Sequence, residues 1–334
     1  MSNNVIIVGK QRKPWVDFLR ALAIFLVVYG HQIQPCTPYF VLTSPIKMPL
    51  FFAISGYLFT LKPGKEYIKK VVMTLIVPWF LLSLLPVILL IPVRGFSGFL
   101  LSVGKVLSGE VAWFMPCFII SSILFYCLMR ISKAMAKENK WWGVICWVLV
   151  ICLAFVGLFL KNRDMLNYAM FNRALTVLPF FMVGYSFKQV ESCLEQMKCL
   201  SYRWLVFVMA VIYIVSLIFG HIFFPGKSID VHMVNYFNLP LCFVQILSGV
   251  LLMFLLFSRL STYPQWMLEV GKDSLVIYMW HPFVIALLIK LLEKLHFQMH
   301  YMLTGLVVTI IGIFICCILT FFMRRYVPFL IGNR

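Results

Sequence analysis

Three side chains in the stretch DFLRALAIFLVVYGH, residues 17–31, are chemically expensive where they stand: Asp17, Arg20 and His31 lie in or beside a strongly apolar run. Charged and ionisable groups inside a membrane segment cost several kcal/mol unless paired, and their usual return is a functional site. Arg20 and His31 are eleven positions apart. At 3.6 residues per turn this is close to three full turns, so both fall on one helix face, roughly 16 Å apart along the axis. Asp17 lies one turn before Arg20, within reach of an ion pair. The stripe Asp17, Arg20, Ile24, Val28, His31 is expected to face the interior of a helix bundle. An imidazole, with an ordinary pKa of about 6.5, suits a general base at neutral pH. The same pair Asp17–Arg20 also suits an interfacial ion pair that orients the helix.

Other polar residues fall at apolar boundaries. PIKMPLFFAISGYLF, residues 45–59, has two prolines before a short apolar helix interrupted by Ser55-Gly56. Ser55 has no local activator, and back-bonding to its own helix fits it better than nucleophilic attack. In SGEVAWFMPCF, residues 108–118, Glu110 beside Trp113 suits a solvated carboxylate, a contact to a sugar hydroxyl or an orienter of a catalytic histidine. In NRALTVLPFFMVGY, residues 172–185, Arg173 begins a short helix and fits a snorkelling anchor or an anion contact. In GKDSLVIYMWHPFVI, residues 271–285, Lys272 and Asp273 are expected at the inner boundary, with Ser274 starting the helix. His281 then lies about 12 Å along it, near mid-membrane. Bridging of helices and catalysis both fit that histidine. Ten cysteines form no CxxC pair and no alternating Cys/His spacing, so neither a metal site nor a disulfide framework is expected.

The elements that must hold these residues are membrane helices. Of 334 residues 63% are hydrophobic and 12% charged, the composition of a polytopic membrane protein. Ten candidate spans occur, at about 15–34, 46–61, 71–93, 113–130, 142–160, 173–187, 204–222, 236–258, 273–291 and 300–323. The net charge of +18 does not imply nucleic acid, because the basic residues sit at segment ends and form no stripe. With the first end cytoplasmic, 19 of the 29 Lys and Arg fall in inner connections and 9 in outer ones, which supports both termini inside. The expectation is an all-α, multi-pass protein with a cytoplasmic segment 1–14, a ten-helix domain over 15–323 and a cytoplasmic tail 324–334. Lys10, Arg12 and Lys13 precede an apolar run with no small-residue cleavage site, so the first helix is read as retained.

These motifs, in this order, resemble the acyltransferase-3 family of bacterial membrane proteins over nearly the whole chain. Arg20 and His31 match an arginine or lysine, ten residues, then histidine. MPLFFAISGYLF, the Trp113-Phe114 stretch, LPFFMVGY and SLVIYMWHP complete the series. The closest flavour is the fucose 4-O-acetylase-like branch, which often has a histidine where this chain has Lys47. The resemblance implies transfer of an acyl group, usually acetyl from cytoplasmic acetyl-CoA, to a sugar hydroxyl of an envelope or exported glycan at the bacterial inner membrane. It implies His31 as the catalytic residue, with Arg20 in the same essential pair. Arg20 is then expected to contact a phosphate or carbonyl of the donor. His31 is expected either to deprotonate the acceptor or to carry the acyl group transiently. A proton-coupled solute transporter is the rival class, since transporters also bury histidines and broken helices at mid-membrane. No metal is expected.

Overall fold

The computed structural model describes residues 12–33, 37–89, 91–110, 112–135, 142–163, 165, 170–295 and 300–331. Lys10, Lys137, Lys140, His296 and Arg334 lie outside these. The chain is an all-α membrane protein, with no strand among the described residues. Its elements are α1 (Pro14–Gly30), α2 (Pro38–Lys47), α3 (Pro49–Tyr57), α4 (Gly64–Val71), α5 (Val77–Leu89), α6 (Ile91–Leu107), α7 (Phe114–Met135), α8 (Trp142–Asn162), α9 (Phe171–Thr176), α10 (Leu178–Gln196), α11 (Cys199–Phe223), α12 (Leu239–Ser258), α13 (Gln265–Lys294) and α14 (Tyr301–Tyr326).

Among the described residues, eight helical segments are long and apolar enough to cross a membrane: Pro38–Tyr57, Gly64–Ile88, Phe114–Ala134, Trp142–Asn162, Cys199–Phe223, Leu239–Ser258, Gln265–Lys294 and Tyr301–Tyr326. The other two expected spans correspond to α1, 17 residues long, and to the pair α9–α10, broken at Val177. Boundaries differ from the sequence reading. The second span starts at Pro38, not near 46, because Thr37 caps it by accepting the Phe40 N–H at 3.3 Å and Pro38 suits the first turn. Lys47 therefore sits inside a helical pair and not in an outer connection. The ninth starts at Gln265, so Lys272, Asp273 and Ser274 are interior to α13. Residues 94–107, expected as a connection, belong to α6.

Prolines shape the helices that line the site. Pro49 and Pro179 restart the chain after the breaks at Met48 and Val177. Ahead of Pro78, residues Val72–Ile76 form a π turn; the Val77 N–H reaches back to Val72 across it. Such bulges in apolar helices recur at functional sites.

Close crossings fix the bundle. A β-carbon on Gly56 would collide with the Phe181 carbonyl, and one on Gly184 with the Ala53 carbonyl, so α3 and α10 pack backbone to backbone. Gly271 does the same for α13 against Asp17 of α1. Around these crossings Phe52, Phe114, Phe118, Phe125 and Phe181 interlock, with ring centroids 5.1–5.9 Å apart for Phe52–Phe114, Phe52–Phe118, Phe52–Phe181, Phe114–Phe118 and Phe125–Phe181. Polar contacts gather at two ends. At one, Lys13 meets Glu191 at 2.6 Å, Tyr57 donates to Glu191 at 2.8 Å, Lys188 donates to the Phe59 carbonyl at 2.6 Å, and Arg324 pairs with Asp273. At the other lie His31, Lys47, Trp113, Arg173 and the loop 224–238. This grouping agrees with antiparallel traverses.

Candidate active site

His31 caps α1 in helical geometry (φ −73°, ψ −16°) and is exposed, not buried as the stripe had predicted. Its ring faces a cleft of about 700 Å³, open mouth included, lined also by Lys47, Trp113, Asp230, His232 and Tyr278. Of the rest of the stripe, Asp17, Ile24 and Val28 are buried and Arg20 is partly buried. Gly30 makes room for the Lys47 ammonium, whose Nζ would lie 3.0 Å from a β-carbon there. The same ammonium rests 3.8 Å over the Phe40 ring. Lys47 thus brings a positive charge to the imidazole's side of the cleft.

The outer wall of this cleft is a tight loop. Asp230 and Asn235 exchange backbone hydrogen bonds at 3.1 and 2.8 Å, and Asp230 Oδ1 accepts the Met233 N–H at 3.0 Å. Arg173 anchors the loop: buried, it donates from Nε to the His232 carbonyl at 2.6 Å and from Nη1 to Asn172 Oδ1 at 3.3 Å. Its geometry is that of a strut holding backbone, which decides against the anion contact for those two donors. The His232 ring lies against Trp113, centroids 4.7 Å apart and planes tilted by 34°. Burial and the neighbouring Arg173 guanidinium hold the His232 imidazole below its ordinary pKa, with Asp230 opposing.

His281 stands beside His31, ring centroids 5.2 Å apart and planes at 36°. It is buried, and Pro282 follows it inside α13. Proline has no N–H, so the helix leaves the carbonyl four residues back, Tyr278, without its usual donor. His281 Nδ1 lies 2.9 Å from that oxygen and 3.0 Å from the Ile277 carbonyl. Carbonyl oxygens only accept, so the Nδ1 carries the proton.

The Arg20 end is a different environment. Asp17 is held by Arg12, which donates to both carboxylate oxygens at 2.5 and 2.9 Å; Arg20 reaches it at 3.4 Å. Arg12 is therefore the tighter partner, and the expected pairing with Arg20 is the weaker arm of a triad. Arg20 borders a cleft of about 780 Å³ with Lys62, Lys70, Tyr67 and Ser122, into which the π turn contributes Thr74 and Leu75. It also borders a smaller void of about 520 Å³, lined by Ser55, Phe51, Phe114, Phe118, Ser274 and Tyr278. Ser55 back-bonds to the Phe51 carbonyl at 2.9 Å, as expected.

Arg20, Ser55, Leu75 and Phe118 are common to the first two voids, and Tyr278 is common to the second and the His31 cleft. The three voids thus lie in series and share walls, from a basic mouth past an aromatic neck to the imidazole, with Tyr278 in the wall between the last two. The structure brings Trp113, His281 and Lys47 to His31, and Ser55 to Arg20. Glu110 is exposed and lines none of these three voids. Asp230, the carboxylate in the His31 cleft, escaped the sequence reading, as did His232, Lys62 and Lys70 as site residues. The only available signal was polarity in the short connections IDVH and LKPGKEYIKK. No group of three or more His, Cys, Asp or Glu residues suited to a metal occurs among the described residues.

No solved structure matches the chain. Among curated proteins, the Nodulation protein NolL of Mesorhizobium japonicum is 27% identical over 191 residues, covering 52% of this chain and 47% of that protein. The chain therefore spans about half the length of the curated relative it matches. A family model described as an acyltransferase domain, Acyl_transf_3, matches residues 13–321, which takes in α1, the serial voids and both histidines. The chain belongs to this acyltransferase family.

Proposed function

We propose that the chain is a membrane O-acyltransferase that moves an acetyl or related acyl group from acyl-CoA to a sugar hydroxyl of an envelope or exported glycan, in a bacterial cytoplasmic membrane. The observation that carries this reading is the series of voids, basic at the Arg20 mouth and imidazole-bearing at the other end. With the Arg20 end cytoplasmic, as the loop charges suggest, Lys62, Lys70 and Arg20 are suited to the phosphates of the donor. Phe51, Phe114 and Phe118 line a neck suited to a thin, largely apolar arm. Trp113 offers a flat face for a sugar ring, and Asp230 accepts hydrogen bonds from hydroxyls.

His31 takes the proton of the acceptor hydroxyl as its oxygen attacks the thioester carbonyl. The carbon–sulfur bond breaks, and the imidazolium returns the proton to the departing thiolate, giving ester and free thiol. In the alternative order His31 nitrogen first takes the acyl group and then yields it to the hydroxyl. Lys47 stands where an ammonium stabilises the negative oxygen of the tetrahedral species.

The test uses washed membrane vesicles, which retain their own glycans, supplied with labelled acetyl-CoA. Label released by mild base reports ester formation. His31→Ala is expected to lower the rate by about 10²–10⁴-fold at unchanged protein level. Transfer at the wild-type rate in that variant, or solute flux with no turnover of acetyl-CoA, overturns the reading.

A further inference from the structure

We infer that His281 is a positioning residue whose Nε2 accepts a hydrogen bond from His31, so that the other His31 nitrogen presents its lone pair to the acceptor hydroxyl. The inference rests on the assignment of His31 to proton transfer and assigns the second histidine a task within it.

The argument begins at the peptide bond. Pro282 frees the Tyr278 carbonyl, and the Nδ1–H of His281 occupies it. That contact leaves Nε2 as the unprotonated nitrogen. Nε2 is buried and has no hydrogen-bond partner in the structure. A buried acceptor left unmet costs about 1–3 kcal/mol, so its persistence asks for a donor. A neighbour that can supply one is His31, whose ring centre is 5.2 Å away. Two imidazoles that share an N–H···N bond have nitrogens about 2.9 Å apart and ring centres about 1.1 Å behind each, which gives a separation of about 5 Å. The rings already stand at the right distance; a rotation of the exposed His31 side chain about its own bonds makes the contact.

The consequence is division of labour. An imidazole that donates one N–H to a fixed acceptor has a defined tautomer and a defined direction for its free lone pair. When His31 takes a proton, the same acceptor stabilises the cation. This is the role a carboxylate plays for the base in hydrolase triads, performed here by a neutral group that adds no charge to an apolar interior. The Trp113, Lys47 and Asp230 side chains then act on the substrate side of His31 alone.

Two substitutions separate the two nitrogens of His281. His281→Asn keeps a donor near the position of Nδ1 and removes the distal acceptor. His281→Gln places an amide oxygen near the position of Nε2. In vesicles with labelled acetyl-CoA at varied concentration, His281→Asn is expected to lower kcat by about 100-fold with little change in KM for acetyl-CoA. His281→Gln is expected to restore at least about a tenth of the wild-type kcat. A role limited to satisfying the Tyr278 carbonyl predicts the reverse order, with Asn the better substitute, and that result overturns the inference. Equal activity of the two variants overturns it as well. If His31→Ala is fully active, the underlying reading fails; if His31→Ala is inactive while His281→Asn turns over like wild type, only this inference fails. Detergent-solubilised monodispersity of each variant, measured alongside, separates loss of fold: should Asn fail to fold, a Gln variant that folds but turns over no faster than His31→Ala also overturns the inference.

Discussion

At the residue scale the legible positions were those whose polarity contradicts their neighbours. Asp17, Arg20, His31 and His281 stand out because charge and imidazole are costly in an apolar run. Lys47, Asp230 and His232 did not, since each is unremarkable in its own segment and becomes part of a site only when chain return places it against α1. Asp17 shows the limit of periodicity: the one-turn spacing to Arg20 is real, yet Arg12, just before the helix, holds the carboxylate more tightly. His232 gives a pH prediction. Its folded imidazole resists protonation because of burial and then Arg173, while the unfolded imidazole titrates near about pH 6.5. The unfolded state therefore binds more protons below that value, so the stability from this group is complete above it and declines as pH falls through it. The fall in melting temperature from about pH 7.5 to about pH 5.5 is expected to be smaller in His232→Gln than in wild type, with other titrating groups common to both. An identical fall in both proteins speaks against a strained imidazole at the Trp113 face.

At the element scale the existence of most helices was legible and their ends were not. The apolar runs announce themselves by length. The start of α2 is set by the Thr37 cap and Pro38, in a stretch whose average polarity hid it, and α13 extends two turns earlier because Lys272 and Asp273 find Glu269 and Arg324 as partners. What the glycines do depends on which helices meet. Gly56, Gly184 and Gly271 lie under a facing backbone carbonyl, which has no flexible end to move aside. Alanine at any of the three is expected to destabilise by about 3 kcal/mol, the upper end of the usual overpacking cost. Gly104 in α6 has open space around it, so alanine there is expected to be neutral or to stabilise by up to about 1 kcal/mol. Thermal unfolding in detergent reads both; equal midpoints for Gly56→Ala and Gly104→Ala contradict the backbone crossing.

At the scale of the whole molecule the void system was beyond the reach of any local pattern, because its walls come from α1, α3, α7, α13, the π turn and the loop 224–238 together. Tyr278 is the residue that matters there. It borders both the aromatic neck and the His31 cleft, its hydroxyl accepts the Phe114 N–H at 3.2 Å, and its ring stands 5.1 Å from that of Phe114. In the proposed transfer the reactive thioester needs water kept from it until the acceptor hydroxyl arrives. Tyr278 and Phe114 form the partition best placed to do so. Removing the ring with Tyr278→Ala joins the two voids, and water then competes for the acyl carbon: free thiol is released with acetate as the second product and no ester label in glycan. Tyr278→Phe keeps the ring and gives up only the hydroxyl, so it is expected to stay near wild type in this respect. Thiol release from acetyl-CoA by purified protein without acceptor is the measurement. A several-fold rise in the alanine variant, absent in the phenylalanine variant, is the expected result; equal rates in all three proteins show that the barrier to water lies elsewhere along the path.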